Sequence, residues 1–277
     1  MHRSADPEGE GRMRKAKNTK MRFAAGFVLF LMVLLLLGPY LCRHDPFGTN
    51  MRAAFLAPCR EYLFGTDNLG RCVLCRILAG GRTSIFTAFA VVALAALIGT
   101  VLGVAAGYFG GAADEAVKDL LTVFQAFPSF VLAIAIAGIM GQSLKNGIFA
   151  LTAIYWTTYA KLARSLVQQI RNNDYVKAAW LNGAGYSAIL YRYILPGITR
   201  MMIVTIALDI GNVVLSMAGL SFLGLGAARP TAEWGAVMSE AKDFLQKAPW
   251  IIVANGGALF VSVIGFNLLG ERYSETL

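Results

Sequence analysis

Four stretches of this chain run for about 20 residues or more without a charged side chain, at 23–42, 83–113, 120–144 and 248–270. A helix of about 20 apolar residues covers the ~30 Å of hydrocarbon in a bilayer, so each stretch predicts a membrane-spanning helix. Two further spans are expected at 146–166, where Lys161 and Arg164 sit near one end, and at 201–220, interrupted only by Asp209. The reading is an all-α membrane protein with about six transmembrane helices. Composition agrees: 57% of the 277 residues are hydrophobic and 15% charged, and mean hydropathy is +0.58, too apolar for a soluble domain of this size.

Residues 1–22 hold Arg3, Arg12, Arg14, Lys15, Lys17, Lys20 and Arg22 ahead of an apolar run too long for a signal-peptide core. Positive flanks stay on the cytoplasmic side, so the N-terminus is expected inside. Six crossings then bring the C-terminus back to the cytoplasm and place the basic 161–200 segment there too. The bias is modest, because Arg43, Arg52, Arg60, Arg71, Arg76 and Arg82 fall in a loop expected outside. The net charge of +9 reads as positive-inside loops and headgroup contacts rather than nucleic-acid binding.

All four cysteines, Cys42, Cys59, Cys72 and Cys75, lie between the first two spans. A lone Cys72-x-x-Cys75 is weak evidence for metal or redox chemistry, since zinc needs a second pair or histidines and the chain has only His2 and His44. Ordinary packing is the plain reading, an external Cys42–Cys59 disulfide the sharper one. No metal and no cofactor are expected.

Val73, Leu74, Ile77 and Leu78 recur at helical spacing among Arg71, Arg76 and Arg82, which predicts a helix lying in the membrane interface. Gly99, Gly103 and Gly107 form two overlapping GxxxG steps that predict close helix packing. Pro128 predicts a kink in the third span, and Trp234 and Trp250 read as interface anchors. Asp209 would cost at least ~2.5 kcal/mol if buried unpaired in hydrocarbon. It either lines a path with Asn212 and Ser216 or pairs locally with Asn212 or a helix end.

Residues 172–197, NNDYVKAAWLNGAGYSAILYRYILPG, form a polar insertion with its own logic. Asp174 is suited to N-cap a helix starting at Tyr175. Ala178 and Ala179 give it a small-sided face, and Gly183 suits a left-handed stop. Ser187 to Tyr193 predicts a second short helix, and Pro196 a break before the fifth span. A helix-turn-helix knob of this kind fits a groove in a soluble partner.

This segment resembles the coupling loop of ABC importer permeases: Lys177-Ala178-Ala179, then Gly183, then Ile194-Leu195-Pro196 occupy the places of Glu-Ala-Ala, Gly and Ile/Leu-Leu-Pro. FGTDNLGRCVLCRILAGGRTSI at 64–85, LSFLGLGAARPTAEWGAVM at 220–238 and APWIIVANGGALFVSVIGFNLLGE at 248–271 narrow the likeness to permeases of the dipeptide, oligopeptide and nickel uptake group. The resemblance implies that Asp174, Tyr175, Lys177, Ala178, Ala179, Gly183, Leu195 and Pro196 couple to an ATPase. It also implies two ATP-binding subunits, a second homologous permease, an external substrate-binding protein and a prokaryotic inner membrane. The implied layout is a tail at 1–22, a first helix with external loop and interfacial helix at 23–82, a five-helix core at 83–270 and a tail at 271–277. Departures are Lys177 for a common Glu, Gly197 for a common Asn, and the two cysteines in place of polar residues of the GRD-x-x-S pattern.

The chain has no GxxxxGK[ST] phosphate loop, so ATP hydrolysis would belong to partners. An ion-coupled secondary transporter is the alternative. It would show several intramembrane ionisable residues and inverted repeats, where this chain offers Asp209 and no clear repeat. An intramembrane enzyme would need paired catalytic groups within the spans, and a plain anchor leaves the 172–197 insertion without purpose. Cargo stays open between peptides and nickel or metal chelates.

Overall fold

The computed structural model describes residues 7–275, with side chains from residue 19 onward; part of the basic tail lies outside the described residues. Among these there is no strand, only an isolated bridge between Thr66 and Cys72. The long elements are α1 (Pro7–Leu41), α2 (Val73–Phe109), α5 (Leu144–Arg171), α8 (Leu195–Phe222) and α10 (Pro249–Ser274). Shorter ones are α3 (Gly111–Gln125), α4 (Ser129–Met140), α6 (Asp174–Leu181), α7 (Tyr186–Ile189) and α9 (Trp234–Ala241).

Among the described residues, four helices are long and apolar enough to cross a membrane, the segments Thr19–Leu41, Val73–Phe109, Tyr186–Phe222 and Pro249–Ser274, and α3 with α4 makes a fifth if the bent pair is one span. The α5 helix is as long as α8, but Lys145, Lys161, Arg164 and Arg171 hold its hydropathy down. The expected third span at 120–144 is not one helix. The chain breaks at 126–128, Pro128 occupies the N-cap of α4, and α3 and α4 meet at 85°. Proline lacks the N–H for a continuing helix and its ring clashes with the preceding turn, so the predicted kink becomes a full break.

The glycine steps set the centre of the bundle. A Cβ on Gly99 would collide with Trp156 and Tyr159, one on Gly103 with Ala160 and Ala163, and one on Gly107 with Arg164 and Val167. The expectation of close packing therefore holds, with the α2 backbone lying directly on α5. Sequence numbers rise together along this contact, so α2 and α5 run parallel, and residues 110–143 carry the chain from one end of the bundle back to the other. The α8 and α10 helices are antiparallel, with Gly270 against Leu208 and Gly211 against Val263 and Asn267. Phe27 and Val28 of α1 close over Gly265. Small residues at these crossings give the dispersion contact that replaces a hydrophobic driving force in lipid.

Three local expectations change. The 71–82 stretch is no separate interfacial helix, because α2 starts at Val73 and continues unbroken through it. Trp234 is not an interface anchor: it is buried, and its Nε1 donates to the Ile77 carbonyl at 2.9 Å. Trp250 is likewise tied inward, donating to the Thr66 carbonyl at 3.1 Å.

Candidate functional site

At one end of the bundle, α6 and α7 stand out between α5 and α8 as a knob. The helix starts at Asp174, one residue earlier than expected, and Asn173 rather than Asp174 holds the N-cap position. Lys177 Nζ lies 3.3 Å from Asp174 Oδ1, so the cation that replaces the common Glu pairs with the acid one turn back. Both side chains are exposed, and such pairs contribute little. Gly183 has φ of +84°, as its left-handed stop requires. Its N–H donates to the Trp180 carbonyl and that of Ala184 to the Ala179 carbonyl, the paired bonds of a Schellman cap.

The second short helix is α7, and no break follows. Residues Leu190–Ile194 form one π-helical turn that leads straight into α8, with Pro196 at the start of that helix. The wider turn accommodates the missing proline N–H, so Tyr186–Phe222 is one helical rod instead of two pieces.

The knob is anchored from beneath. Val176, Ile189 and Ile194 are buried in the main core. Tyr108, at the end of α2, donates its hydroxyl to the Tyr186 carbonyl at 2.8 Å, and Arg171 Nη1 donates to the Tyr108 carbonyl at 2.8 Å. Trp180 meets Tyr186 edge-on with centroids 4.6 Å apart. Further along, Arg164 of α5 forms a two-pronged ion pair with Asp114 of α3. Outward the knob presents Tyr175, Ala178, Leu181, Tyr186 and Tyr191, with Leu181 90% exposed. A fixed helical platform thus carries an apolar tip that none of the described residues covers.

The opposite end holds a polar junction that sequence reasoning missed. Asp67 Oδ1 accepts from the Leu69 and Arg71 backbone N–H groups, each at 2.9 Å, folding the 66–72 loop. Its Oδ2 meets Arg71 Nε at 2.6 Å and Arg76 Nε at 3.6 Å. Glu240, just before the end of α9, closes the set with Arg71 Nη2 at 2.7 Å and Arg76 Nη2 at 3.5 Å. Arg76 is completely buried. About two turns further along α2, Ser84 Oγ donates to Glu233 at 3.0 Å, and Glu233 caps α9 through the Ala236 N–H at 2.9 Å. Burial pushes the Glu233 carboxyl above its ordinary value. The motifs at 64–85 and 220–238 are therefore two halves of one interlocked structure, and the Asp-Arg-Arg-Glu set across a separation of 164–169 residues is its centre.

Along α8 the three expected path residues divide. Ser216 lines a cavity of about 200 Å³ with Ser129, Phe130, Thr157 and Thr158, and its Oγ lies 3.0 Å from the Tyr155 hydroxyl. Asn212 is exposed and donates to Asp209 Oδ1 at 3.4 Å. Asp209 is buried beside Tyr159 and does not line that cavity. Local pairing is what the geometry gives Asp209.

The Cys42–Cys59 disulfide does not form, because all four cysteines are free. The Cys72-x-x-Cys75 pair, weak evidence by itself for want of further ligands, is joined by His44: ligand atoms of His44, Cys72 and Cys75 lie within 4.8 Å of one another.

A helical membrane bundle with a tethered apolar knob at one end and a locked loop module at the other has the form of a transport-system membrane subunit. Residues 99–273 match the family described as the binding-protein-dependent transport system inner membrane component, and the chain belongs to that family. It is 35% identical over 257 residues to the dipeptide transport system permease protein DppC of Haemophilus influenzae, covering 91% of this chain and 87% of the relative. It is 34% identical to the nickel transport system permease protein NikC of Escherichia coli K12, covering 93% of each. Identity to the probable D,D-dipeptide transport system permease protein DdpC of the same organism is 34%, covering 94% of this chain and 88% of the relative. These likenesses support a multi-pass inner-membrane transport component, and the sequence resemblance to ABC permeases of the peptide and nickel group stands.

Proposed function

We propose that this chain is the permease subunit of an ATP-driven importer, forming half of the translocation path for peptides or for nickel and other metal chelates. Two ATP-binding subunits hydrolyse ATP, a second homologous permease completes the path, and an external binding protein delivers cargo. The observation that carries this reading is the exposed apolar knob, held by Tyr108 and Arg171 and continuous with α8. It lies wholly within the family match. An apolar tip on a fixed platform can receive a push from a soluble partner and pass it into the bundle.

In this reading the chain crosses the membrane six times, with both termini and the knob in the cytoplasm. The tail at 1–22, the 23–82 entry segment, the core at 83–270 and the tail at 271–277 follow. Asp174, Tyr175, Lys177, Ala178, Ala179, Gly183, Leu195 and Pro196 form or support the ATPase contact. The Ser216 and Asn212 side of α8 faces the path, with Asp209 supporting it from behind. The parallel packing of α2 on α5 supports six crossings, since the broken α3–α4 pair must then traverse the membrane.

The test is isolation from native membranes in mild detergent, with ATPase activity assayed on what copurifies, for the native chain and for Leu181→Glu. Leu181 is too exposed for its loss to disturb folding. Copurifying ATPase that is lost in the variant supports the coupling contact. Substrate movement by the chain alone in vesicles, driven by an ion gradient and indifferent to ATP, would sink the proposal in favour of a secondary transporter.

A further inference from the structure

The loop between α1 and α2 brings together residues that no transport step above uses. Cys72 is the N-cap of α2 and Cys75 lies in its first turn, both buried. His44 sits three residues beyond the end of α1 and stacks on Tyr62, with ring centroids 4.6 Å apart at 23°. Among the described residues these three are the group whose ligand atoms, two sulfurs and an imidazole nitrogen, all lie within 4.8 Å of one another. Cys42 lines the same pocket.

We propose that Cys72, Cys75 and His44 form a binding site for a thiophilic d¹⁰ cation, zinc(II) or copper(I), that clips the end of α1 to the start of α2. Two thiolates and an imidazole are the donors such ions select, while harder divalent ions prefer oxygen. Metal–sulfur bonds of about 2.3 Å and a metal–nitrogen bond of about 2.0 Å place tetrahedral donors roughly 3.5–3.8 Å apart. Side-chain rotation of about 1 Å closes the present spacing onto an ion. On binding, each thiol gives its proton to water, so two thiolates neutralise a zinc(II) ion. Tyr62 holds the imidazole plane, the role a supporting contact plays for a ligating histidine. Zinc would take water as its fourth ligand, and copper(I) is satisfied by the three; Cys42 lines the same pocket but stands outside this cluster.

The clip joins residues on either side of the 43–71 loop, next to a contact in which Leu78 of α2 already lies on Gly38 of α1 and Leu35 of α1 on Gly81 of α2. That loop is otherwise held at Thr66 and Asp67 and, nearer α1, at the Pro46 carbonyl, which accepts from Arg76 Nη1 at 3.4 Å. A bound ion would therefore extend the α1–α2 contact into the loop and brace it there, without touching the knob or the α8 path.

The test uses the full chain in detergent, reduced with a phosphine, desalted and titrated with cobalt(II) as an optical probe. Zinc(II) is then used to displace the cobalt, and copper(I) is titrated against a chromophoric chelator. The expected result is one equivalent per chain with sulfur-to-cobalt charge-transfer absorption, abolished in Cys72→Ser and Cys75→Ser and retained in Cys59→Ser. His44→Ala should weaken binding at least about tenfold, the lower end of what losing even a supporting contact costs a metal site. Because His44 is only half-buried, that variant separates a lost ligand from a damaged fold. Displacement by zinc at equal concentration assigns zinc, and binding confined to the copper titration assigns copper. Four freely titrating thiols with no cobalt absorption would overturn the site, as would binding unchanged in Cys75→Ser. So would a Cys72–Cys75 disulfide in the purified chain together with no metal uptake after reduction.

Discussion

Removing one charge from the Asp67, Arg71, Arg76 and Glu240 set tests whether the loop module is held by balanced buried charge. Arg76 is fully buried, within 3.6 Å of Asp67 and 3.5 Å of Glu240. Arg76→Met keeps much of the volume and leaves Arg71 as the one buried cation for two carboxylates, the other partner of Glu240 being the largely exposed Arg229 at 3.4 Å. Breaking a buried pair on one side costs about 3–5 kcal/mol, because the remaining charge is neither solvated nor compensated. Glu240→Gln leaves two guanidinium groups on Asp67 and should cost a similar amount. The double variant restores neutrality, so its loss should fall short of the sum of the singles by about 1–3 kcal/mol. Thermal unfolding in detergent, followed by tryptophan fluorescence, reads this directly, since Trp234 and Trp250 both hydrogen-bond into the module. At roughly 2–4 °C per kcal/mol for a chain somewhat smaller than this one, each single variant should lose on the order of 10 °C. Added salt should leave the pattern intact, since a buried set is weakly screened. Losses that simply add, within about 0.5 kcal/mol, would refute the coupled-charge account.

Gly103→Leu should destabilise the α2–α5 contact by more than the 1–3 kcal/mol of ordinary overpacking, because the added atoms meet the Ala160 backbone; poor monodispersity on size exclusion is the readout. Gly183→Ala should cost about 1 kcal/mol by straining the left-handed stop, seen as faster proteolysis at 182–186 with global unfolding unchanged. The raised Glu233 carboxyl stabilises the folded state below its unfolded value of 4.5 and loses that contribution as pH rises through its folded value. Glu233→Gln should therefore gain stability relative to the native chain on moving from acidic to neutral pH, and a constant difference would count against it. In the metal-free chain a maleimide should label exposed Cys59 well before buried Cys72 and Cys75, whose reaction should require unfolding.

The spans and the knob were legible because their signals are local: unbroken apolar length, an Ala-Ala face, a Gly stop. The continuous run from the knob into α8 was not, since Pro196 is a break signal and only the π turn at Leu190–Ile194 absorbs it. Helix α5 was the weakest span by hydropathy because Lys161 and Arg164 sit within it, and the Asp114–Arg164 pair that accommodates one of those charges joins elements 50 residues apart. The same distance problem hid the charged junction. Arg71 and Arg76 look like headgroup-facing residues until Glu240 is brought to them, and His44 looks isolated until the loop folds back on Cys72. Pattern along the chain records which face is apolar. It does not record which distant charge makes a buried one tolerable.

Because Tyr186–Phe222 is a single helical rod of 37 residues, it measures about 55 Å from end to end. A tilt of about 10° about one end displaces the other by about 10 Å, more than a helix diameter's radius. In the proposed importer the rod would act as a displacement amplifier, with the short knob as its input arm and an output arm that ends beside α9. The π turn is the one place along it where the hydrogen-bond ladder is already loosened, and bending there would divert motion before it reached the far end.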